Sequence, residues 1–181
     1  MAGPTQHGAL ARPSFARPPR VLIVTAPYYR AIADHLIAGA EAELATVAAE
    51  VEKVEVPGAL EVPTAIRLAD RSRRFDGYVA LGCVIRGETT HYETVCNDSS
   101  RGLMLLGLDG LAIGNGILTV ESMDQAVVRA DPAAQNKGGG AAEAALHLIA
   151  LRTRFAPASR QTAPQDEAPI RMAAADPEGG R

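Results

Sequence analysis

The sequence predicts an α/β fold of three layers, in which a four-stranded parallel sheet is covered by helices on both faces. Apolar runs of strand length alternate four times with segments in which apolar residues recur at helical spacing. The connections between them are too short for anything but right-handed crossovers, which make neighbouring strands parallel. With 181 residues, 47% of them hydrophobic, the chain is long enough for one domain with a sizeable core.

Four segments have the pattern of strands. The first and third are continuous apolar runs, as buried strands of parallel sheets usually are. The second alternates between apolar and polar residues and is predicted to be half-buried. The predicted strands cover residues 20–26, 51–57, 76–85 and 111–120.

Helical periodicity fills the segments between and after these strands. Helices are expected from Ile32 to Val47, from about Ala65 to Arg74, from Tyr92 to Leu108, over 122–130 and over 139–155. In the third of them, apolar residues spread beyond a single face. That helix is therefore expected to bury two sides, one of them in a subunit interface.

Charge and cysteine content exclude several classes of partner. The net charge is −3 and no run of lysine or arginine forms a patch, so a nucleic acid partner is not expected. No apolar stretch approaches the ~20 residues that span a bilayer, so no membrane partner is expected either. Cys83 and Cys96 lack the spacing of a metal or redox motif, which favours free thiols and a cytoplasmic location.

The two ends of the chain have a different composition from the middle. Residues 1–19 are rich in arginine and proline, and the prolines oppose the amphipathic helix of a transit peptide. Residues 157–181 combine alanine, proline and scattered charges. We expect a disordered arm at 1–19, one domain at 20–156 and a disordered tail at 157–181.

The third strand leads into GETTHYETV, a polar segment at the point where ligands bind in such folds, beyond the carboxyl ends of the strands. Gly87 allows a tight turn, and Glu88 and Thr89 then open a helix. The free N–H groups there can bind a phosphate, although an ordinary N-cap explains the pattern equally well. If a phosphate binds, we expect the Glu88 amide to face it and the carboxylate to point away.

Single residues at the other strand ends leave alternatives open. His91 could transfer protons near neutral pH or simply pack. Tyr28 could stack on a flat ring or belong to the core, and Glu61 could cap a helix or accept ligand N–H groups. Arg129 and Lys137 suit a phosphate, but cations near a helix end also complement its dipole. No nucleotide-binding or metal-binding motif is found, so neither a metal nor a cofactor is predicted.

Four segments in order resemble one family, the 6,7-dimethyl-8-ribityllumazine synthases of riboflavin biosynthesis. VPGALEVP at 56–63 is similar to the family's VPGAxExP segment, and the sequence at 82–102 is similar to its GxVIRGxTxHxxxV signature. GILTVESMDQAVVRA and NKGGGAAEAA resemble its closing segments. The resemblance runs from about Arg20 to Phe155 and implies a flavodoxin-like fold and a transferase activity.

The resemblance also implies a reaction and residue roles. The family condenses 5-amino-6-(D-ribitylamino)uracil with 3,4-dihydroxy-2-butanone 4-phosphate, releasing phosphate and water. His91 matches the proton-transferring histidine, Arg129 the phosphate-binding arginine, and Tyr28 an aromatic that stacks on the pyrimidine. The phosphate site would also include Glu88, Thr89 and Lys137. The pyrimidine and ribityl pocket would include Ala59, Leu60, Glu61, Cys83, Val84, Ile85 and Asn115.

Members of the family assemble as pentamers, sometimes twelve of them in a hollow shell, with each active site between neighbouring subunits. A homopentamer or a 60-subunit shell is therefore expected, with riboflavin synthase as a pathway partner. Leu60 and Asn115 stand where many members have phenylalanine, so a more polar and less aromatic pocket is expected. The loop ADPAAQNKG lacks the glycine-lysine pattern of icosahedral members, which leaves the size of the assembly open.

Two rival interpretations remain at the level of sequence. A non-catalytic flavin-binding or shell-forming relative would be expected to lose His91 or Arg129, and both are present. A different enzyme on a doubly wound sheet, such as a phosphosugar lyase or isomerase, would share the anion pocket but not the segment from Pro57 to Pro63.

Overall fold

The computed structural model describes residues 10–156 and confirms the predicted α/β fold. Strands and helices alternate along the chain up to a final pair of helices. The elements are β1 Arg20–Thr25, α1 Arg30–Ala45, β2 Glu50–Glu55, α2 Glu61–Asp70, β3 Gly77–Ile85, α3 His91–Leu108, β4 Ile113–Val120, α4 Met123–Ala130 and α5 Lys137–Arg154.

The four strands form one parallel sheet in the order β2-β1-β3-β4. All carboxyl ends therefore lie at the same edge, where the segments leading into α1, α2 and α3 also begin. Helices α1, α4 and α5 pack with one face of the sheet, while α2 and α3 cover the other. This three-layer arrangement places every strand-to-helix connection of the predicted site at one end of the domain.

Alternate residues of β1 supply the two halves of the core, because successive side chains of a strand point to opposite faces. Ile23 packs with Leu36 of α1 and Leu146 of α5, whereas Val24 packs with Ile66 of α2 on the other side. All five side chains are fully buried. Burial of each such aliphatic side chain contributes roughly 1.5–3 kcal/mol, so the apolar run of β1 stabilises both layers.

The junction of α1 and α5 depends on a very close backbone approach. A Cβ added to Gly138 would lie 2.0 Å from the backbone oxygen of Leu36 in α1. The preceding Asn136 adopts a left-handed conformation with φ of 45°, and its side chain accepts a 3.1 Å hydrogen bond from the Gly139 amide. The cap and the small residues after it therefore allow α5 to begin in direct contact with α1.

The second half of the predicted N-terminal arm contacts the domain. Arg17 donates a 2.7 Å hydrogen bond to Asp76 before β3, and the Arg20 amide donates to the same carboxylate. Partial burial opposes ionisation of Asp76, but these hydrogen bonds outweigh it and lower the pKa of the carboxyl. Phe15 packs against the core, and Arg12 forms an ion pair with Glu43. Residues 1–9 and the predicted tail at 157–181 lie outside the described residues.

Strand β2 is less buried than the sequence predicts, and helix α3 is buried on one side by its own chain. Strand β2 is an edge strand, so Val54 is 40% exposed although its alternation predicted a half-buried strand. Helix α3 buries Leu103 against α2 and the sheet, while Met104 and Leu108 are 64% and 79% exposed. No residue in the described range 10–156 covers the second apolar side of α3. Across residues 10–156, no helix has the length and apolar character needed to cross a membrane.

We predict that Gly138→Ala lowers the free energy of unfolding by about 1–3 kcal/mol. The new methyl group would overlap backbone atoms of Leu36, which cannot move aside as a flexible side chain can. Gly140→Ala is the matched control, since it lies in the same helix and its Cβ would meet no atom within 4 Å. That change should stabilise the protein by up to about 1 kcal/mol through helix propensity. Urea unfolding of both variants measures the difference, and equal stabilities would contradict the close packing described here.

Candidate active site

A cavity of about 550 Å³ lies at the carboxyl ends of β1, β2 and β3. Its wall combines backbone-rich turns, aliphatic side chains, three tyrosines and one histidine. The lining residues are Ala26, Tyr28, Tyr29, Pro57, Gly58, Ala59, Leu60, Glu61, Cys83, Val84, Ile85, Gly87, Thr89, His91, Tyr92 and Val95. Its position is the one that parallel α/β sheets use for ligands, and its size suits a small organic molecule.

Most of the residues predicted from the sequence line this cavity. The structure brings together Tyr28, Ala59, Leu60, Glu61, Cys83, Val84, Ile85, Thr89 and His91. They come from the end of β3, from the connections that follow β1, β2 and β3, and from the first residues of α2 and α3, which meet because the strands are parallel and adjacent. The cavity is therefore assembled by the topology from segments that lie far apart in the sequence.

Four predicted residues do not line the cavity of the single chain. Glu88 is exposed in the connection between β3 and α3. Asn115 lies opposite Ala80 in the middle of β4, where its side-chain oxygen accepts a 3.0 Å hydrogen bond from the amide of Ile117. Arg129 lies in the last turn of α4 and Lys137 is the exposed first residue of α5.

Several lining residues were missed by the sequence-based prediction. Tyr29 lies beside Tyr28, with ring centroids 5.0 Å apart in an edge-to-face arrangement. Tyr92 and Val95 follow His91 on the first turns of α3. Their spacing of three residues put Tyr92 and Val95 on one helical face, but the sequence did not show that this face meets a cavity.

The start of α3 has the features of an anion site. Thr90 occupies the N-cap position, but its side chain makes no capping hydrogen bond to the helix. The ordinary capping interpretation of this threonine is therefore not supported, and helix amides remain available for a ligand. Gly87 has no positive φ, so no left-handed conformation requires a glycine at this position. A Cβ at Gly87 would meet no protein atom within 4 Å, so the glycine leaves open space beside Thr89.

Two functional groups in the wall of the cavity, a thiol and a carboxylate, bear on the chemistry available there. Burial raises the pKa of the Cys83 thiol to about 11, so this residue is a neutral wall and not a nucleophile at physiological pH. Cys83 and Cys96 are both free thiols, as predicted. Glu61 lies in the first turn of α2, where a carboxylate is favoured by the helix dipole. Within residues 10–156, no group of three potential ligand side chains is arranged to hold a metal ion.

Comparison with known proteins identifies the family. The family model described as 6,7-dimethyl-8-ribityllumazine synthase matches residues 18–153 of the chain. The chain belongs to this family. The 6,7-dimethyl-8-ribityllumazine synthase of Jannaschia sp. is 57% identical over 155 residues, which are 86% of each chain. That of Novosphingobium aromaticivorans is 59% identical over 136 residues, covering 75% of this chain and 98% of the relative.

Membership in the family confirms the function predicted from the motifs, the step of riboflavin biosynthesis that forms 6,7-dimethyl-8-ribityllumazine, and with it the transferase class. A third relative, the 6,7-dimethyl-8-ribityllumazine synthase of Zymomonas mobilis, is 52% identical over 136 residues. A non-catalytic relative on the same scaffold is not favoured. The cavity and the family therefore point to the same chemistry.

We predict that Gly87→Val raises the KM for the phosphate-bearing substrate by about 10-fold, because the branched side chain would fill the space beside Thr89 that the glycine leaves open. Gly87→Ala is the graded control, since a single Cβ at this position meets no atom within 4 Å and should raise the KM much less than the branched side chain. Initial rates with one substrate varied at a time measure both effects. An unchanged KM in Gly87→Val would remove Gly87 from the anion site.

Proposed function

We propose that the chain condenses 5-amino-6-(D-ribitylamino)uracil with 3,4-dihydroxy-2-butanone 4-phosphate through the cavity at the carboxyl ends of β1, β2 and β3. The products are 6,7-dimethyl-8-ribityllumazine, phosphate and water. The observation that carries this proposal is the convergence of Tyr28, His91 and the uncapped start of α3 on one cavity. Each part suits one substrate or one step of the reaction.

The start of α3 would bind the phosphate. The amides of Glu88 and Thr89 precede the first helical residue, where N–H groups and the helix dipole favour an anion. Thr89 lines the cavity, whereas the exposed Glu88 side chain does not. In this arrangement, Glu88 contributes its amide and keeps its carboxylate in solvent.

The opposite wall would bind the uracil. Tyr28 is 76% exposed and offers a free ring face on which the pyrimidine can stack. Ala59, Leu60 and Glu61 follow β2, and the Glu61 carboxylate would accept hydrogen bonds from ligand N–H groups. The segment from Cys83 to Ile85 would form the floor beneath the ribityl chain.

Proton transfer is the main chemical demand of the reaction. The uracil amine and the ketone first form an imine with loss of water, phosphate is then eliminated, and ring closure releases a second water. Each step moves protons, and His91 lines the same cavity as the residues of the proposed phosphate and pyrimidine sites. Holding both substrates in one cavity also makes a bimolecular reaction effectively unimolecular.

We further propose that a second copy of the chain completes the site with Asn115, Arg129 and Lys137. These residues do not line the cavity of their own chain, yet an anion site would gain from a guanidinium and an ammonium. The exposed Met104, Leu105 and Leu108 of α3 offer an apolar surface for such a copy. These residues lie in the last two turns of α3, which a subunit interface would cover.

A homopentamer, alone or within a 60-subunit shell, is the proposed assembly, because a head-to-tail ring presents the same two surfaces at every interface. Riboflavin synthase is the proposed pathway partner. The cytoplasm is the proposed location, since a reducing compartment would keep Cys83 and Cys96 as free thiols. Light scattering that finds the mass of a single chain would contradict the ring.

We predict that Arg129→Ala loses at least roughly 2 kcal/mol of transition-state binding through its charge-assisted hydrogen bonds. His91→Ala should cost about 10²-fold or less, because water can carry some of the proton transfers. Arg152→Ala is the control, since Arg152 also lies in the last turn of a helix. The measurement is lumazine fluorescence after both substrates are added. No product from the unaltered chain would refute the function, and unchanged rates in Arg129→Ala would refute only the phosphate role.

A shared site makes a further prediction about mixed assemblies. If His91 and Arg129 of one site come from different chains, His91→Ala and Arg129→Ala subunits can complement each other. In a random ring of equal amounts, about a quarter of the interfaces would pair two intact residues. Co-expression with two different affinity tags and assay of the doubly purified protein measure the recovery. Activity no higher than the mean of the two single variants would place both residues in one chain.

A further inference from the structure

We propose that Arg86 is a positioning residue for the reaction, which holds the first turn of α3, and with it His91, at a fixed place relative to the sheet. This proposal rests on the function proposed above. Arg86 does not line the cavity, but it lies between Ile85 and Gly87, which both do. Its contacts reach three elements around the cavity.

The backbone of Arg86 is fixed to the sheet. Its amide donates a 3.0 Å hydrogen bond to the carbonyl of Val120, which extends the pairing of β3 and β4 beyond the last residue of β3. The side chain therefore starts from a rigid position at the edge of the cavity. Residues 87–90 form the connection that follows. Within residues 10–156, none of their side chains makes a hydrogen bond, so the connection itself does little to fix the start of α3.

The guanidinium connects β4 to α3. Its Nε donates a 2.6 Å hydrogen bond to Oε2 of Glu121, directly after β4, and Nη1 donates to Oε1 of Glu93 in the first turn of α3. The central carbon also lies 4.2 Å from the centroid of the Tyr92 ring, within the range of a cation–π contact. Tyr92 and Glu93 directly follow His91 in the first turn of α3. Arg86 therefore contacts both of these residues and, through Glu121, the end of β4.

The shape of arginine is suited to this role. A planar fork can hold two carboxylates and stack on a ring at once, whereas the ammonium of lysine is a single point charge. Hydrogen bonding to Arg86 lowers the pKa of Glu93, so this pair stays ionised at neutral pH. The side chains of Arg86, Glu93 and Glu121 are 41%, 47% and 57% exposed. Ion pairs this exposed contribute little to global stability, so replacing Arg86 should shift the thermal midpoint only slightly.

A second explanation is that Arg86 only neutralises two carboxylates near the proposed phosphate site. Loss of charge alone would mainly weaken substrate binding and raise the KM for the phosphate-bearing substrate. Loss of position would lower kcat, because His91 would no longer be aligned in the bound complex. The two explanations therefore differ in which kinetic constant changes.

Arg86→Gln is the first test, with Arg67→Gln as the matched control. Arg67 also contacts two carboxylates, Asp70 and Asp109, and is 47% exposed, but unlike Arg86 it is not flanked by residues that line the cavity. We expect Arg86→Gln to lower kcat by about 10-fold or more with both substrates saturating, while Arg67→Gln keeps the kcat of the unaltered chain. Thermal midpoints should shift equally little in both. A kcat in Arg86→Gln equal to that of Arg67→Gln would overturn the proposal.

Two further variants separate position from charge. The triple change Arg86→Gln, Glu93→Gln, Glu121→Gln removes all three charges together. It should keep the low kcat if Arg86 positions α3, and full recovery of kcat would overturn the proposal. Arg86→Lys keeps the charge without the fork and should recover only part of kcat. Complete recovery by lysine would likewise contradict the role of the fork.

Hydrogen exchange keeps this proposal separate from the proposed function. The amides of residues 87–93 should exchange faster in Arg86→Gln than in the unaltered chain, and at an unchanged rate in Arg67→Gln. If the unaltered chain makes no lumazine but this difference is found, the function is wrong and the positioning role stands. If lumazine forms and exchange at 87–93 is the same in all three proteins, the positioning role is wrong.

Discussion

The parallel arrangement of β1, β2 and β3 is the constraint on which the rest of the structure depends. Because neighbouring strands run in one direction, their carboxyl ends lie at a single edge of the sheet, and each connection must cross a face as a helix. The start of α3 therefore lies beside Tyr28 and the turn before α2. The cavity is a consequence of this geometry, since no single segment contains it.

Under the proposed function, the same geometry divides the substrate-binding groups between two surfaces of the chain. The cavity supplies aromatic and aliphatic walls, helix amides and His91, while the cations Arg129 and Lys137 lie elsewhere on the chain. The apolar and aromatic wall of the cavity suits the pyrimidine ring. A phosphate leaving group carries negative charge during elimination and is stabilised by nearby cations. A ring of identical chains would bring the two surfaces together without an additional element, and it would also cover the exposed end of α3.

Much of this arrangement could be predicted from residue types. The four strands were found within a few residues of their final bounds, because hydrophobic periodicity is a local property. Tyr28, Glu61 and His91 were placed at the cavity because they follow strands. The prediction of burial was less successful where it depends on which strand lies alongside in the sheet. Val54 alternates like a half-buried residue, but the strand order leaves it at the sheet edge.

The sequence by itself determined the fold class, the family and the residue types of the site, since these depend on spacing along the chain and on motifs. Only the tertiary structure decided that Tyr29 and Tyr92 join the wall, that Thr90 does not cap α3, and that Arg86 connects three elements. These facts depend on distances between segments far apart in sequence. Such distances are set by packing of the whole domain, which no local pattern encodes.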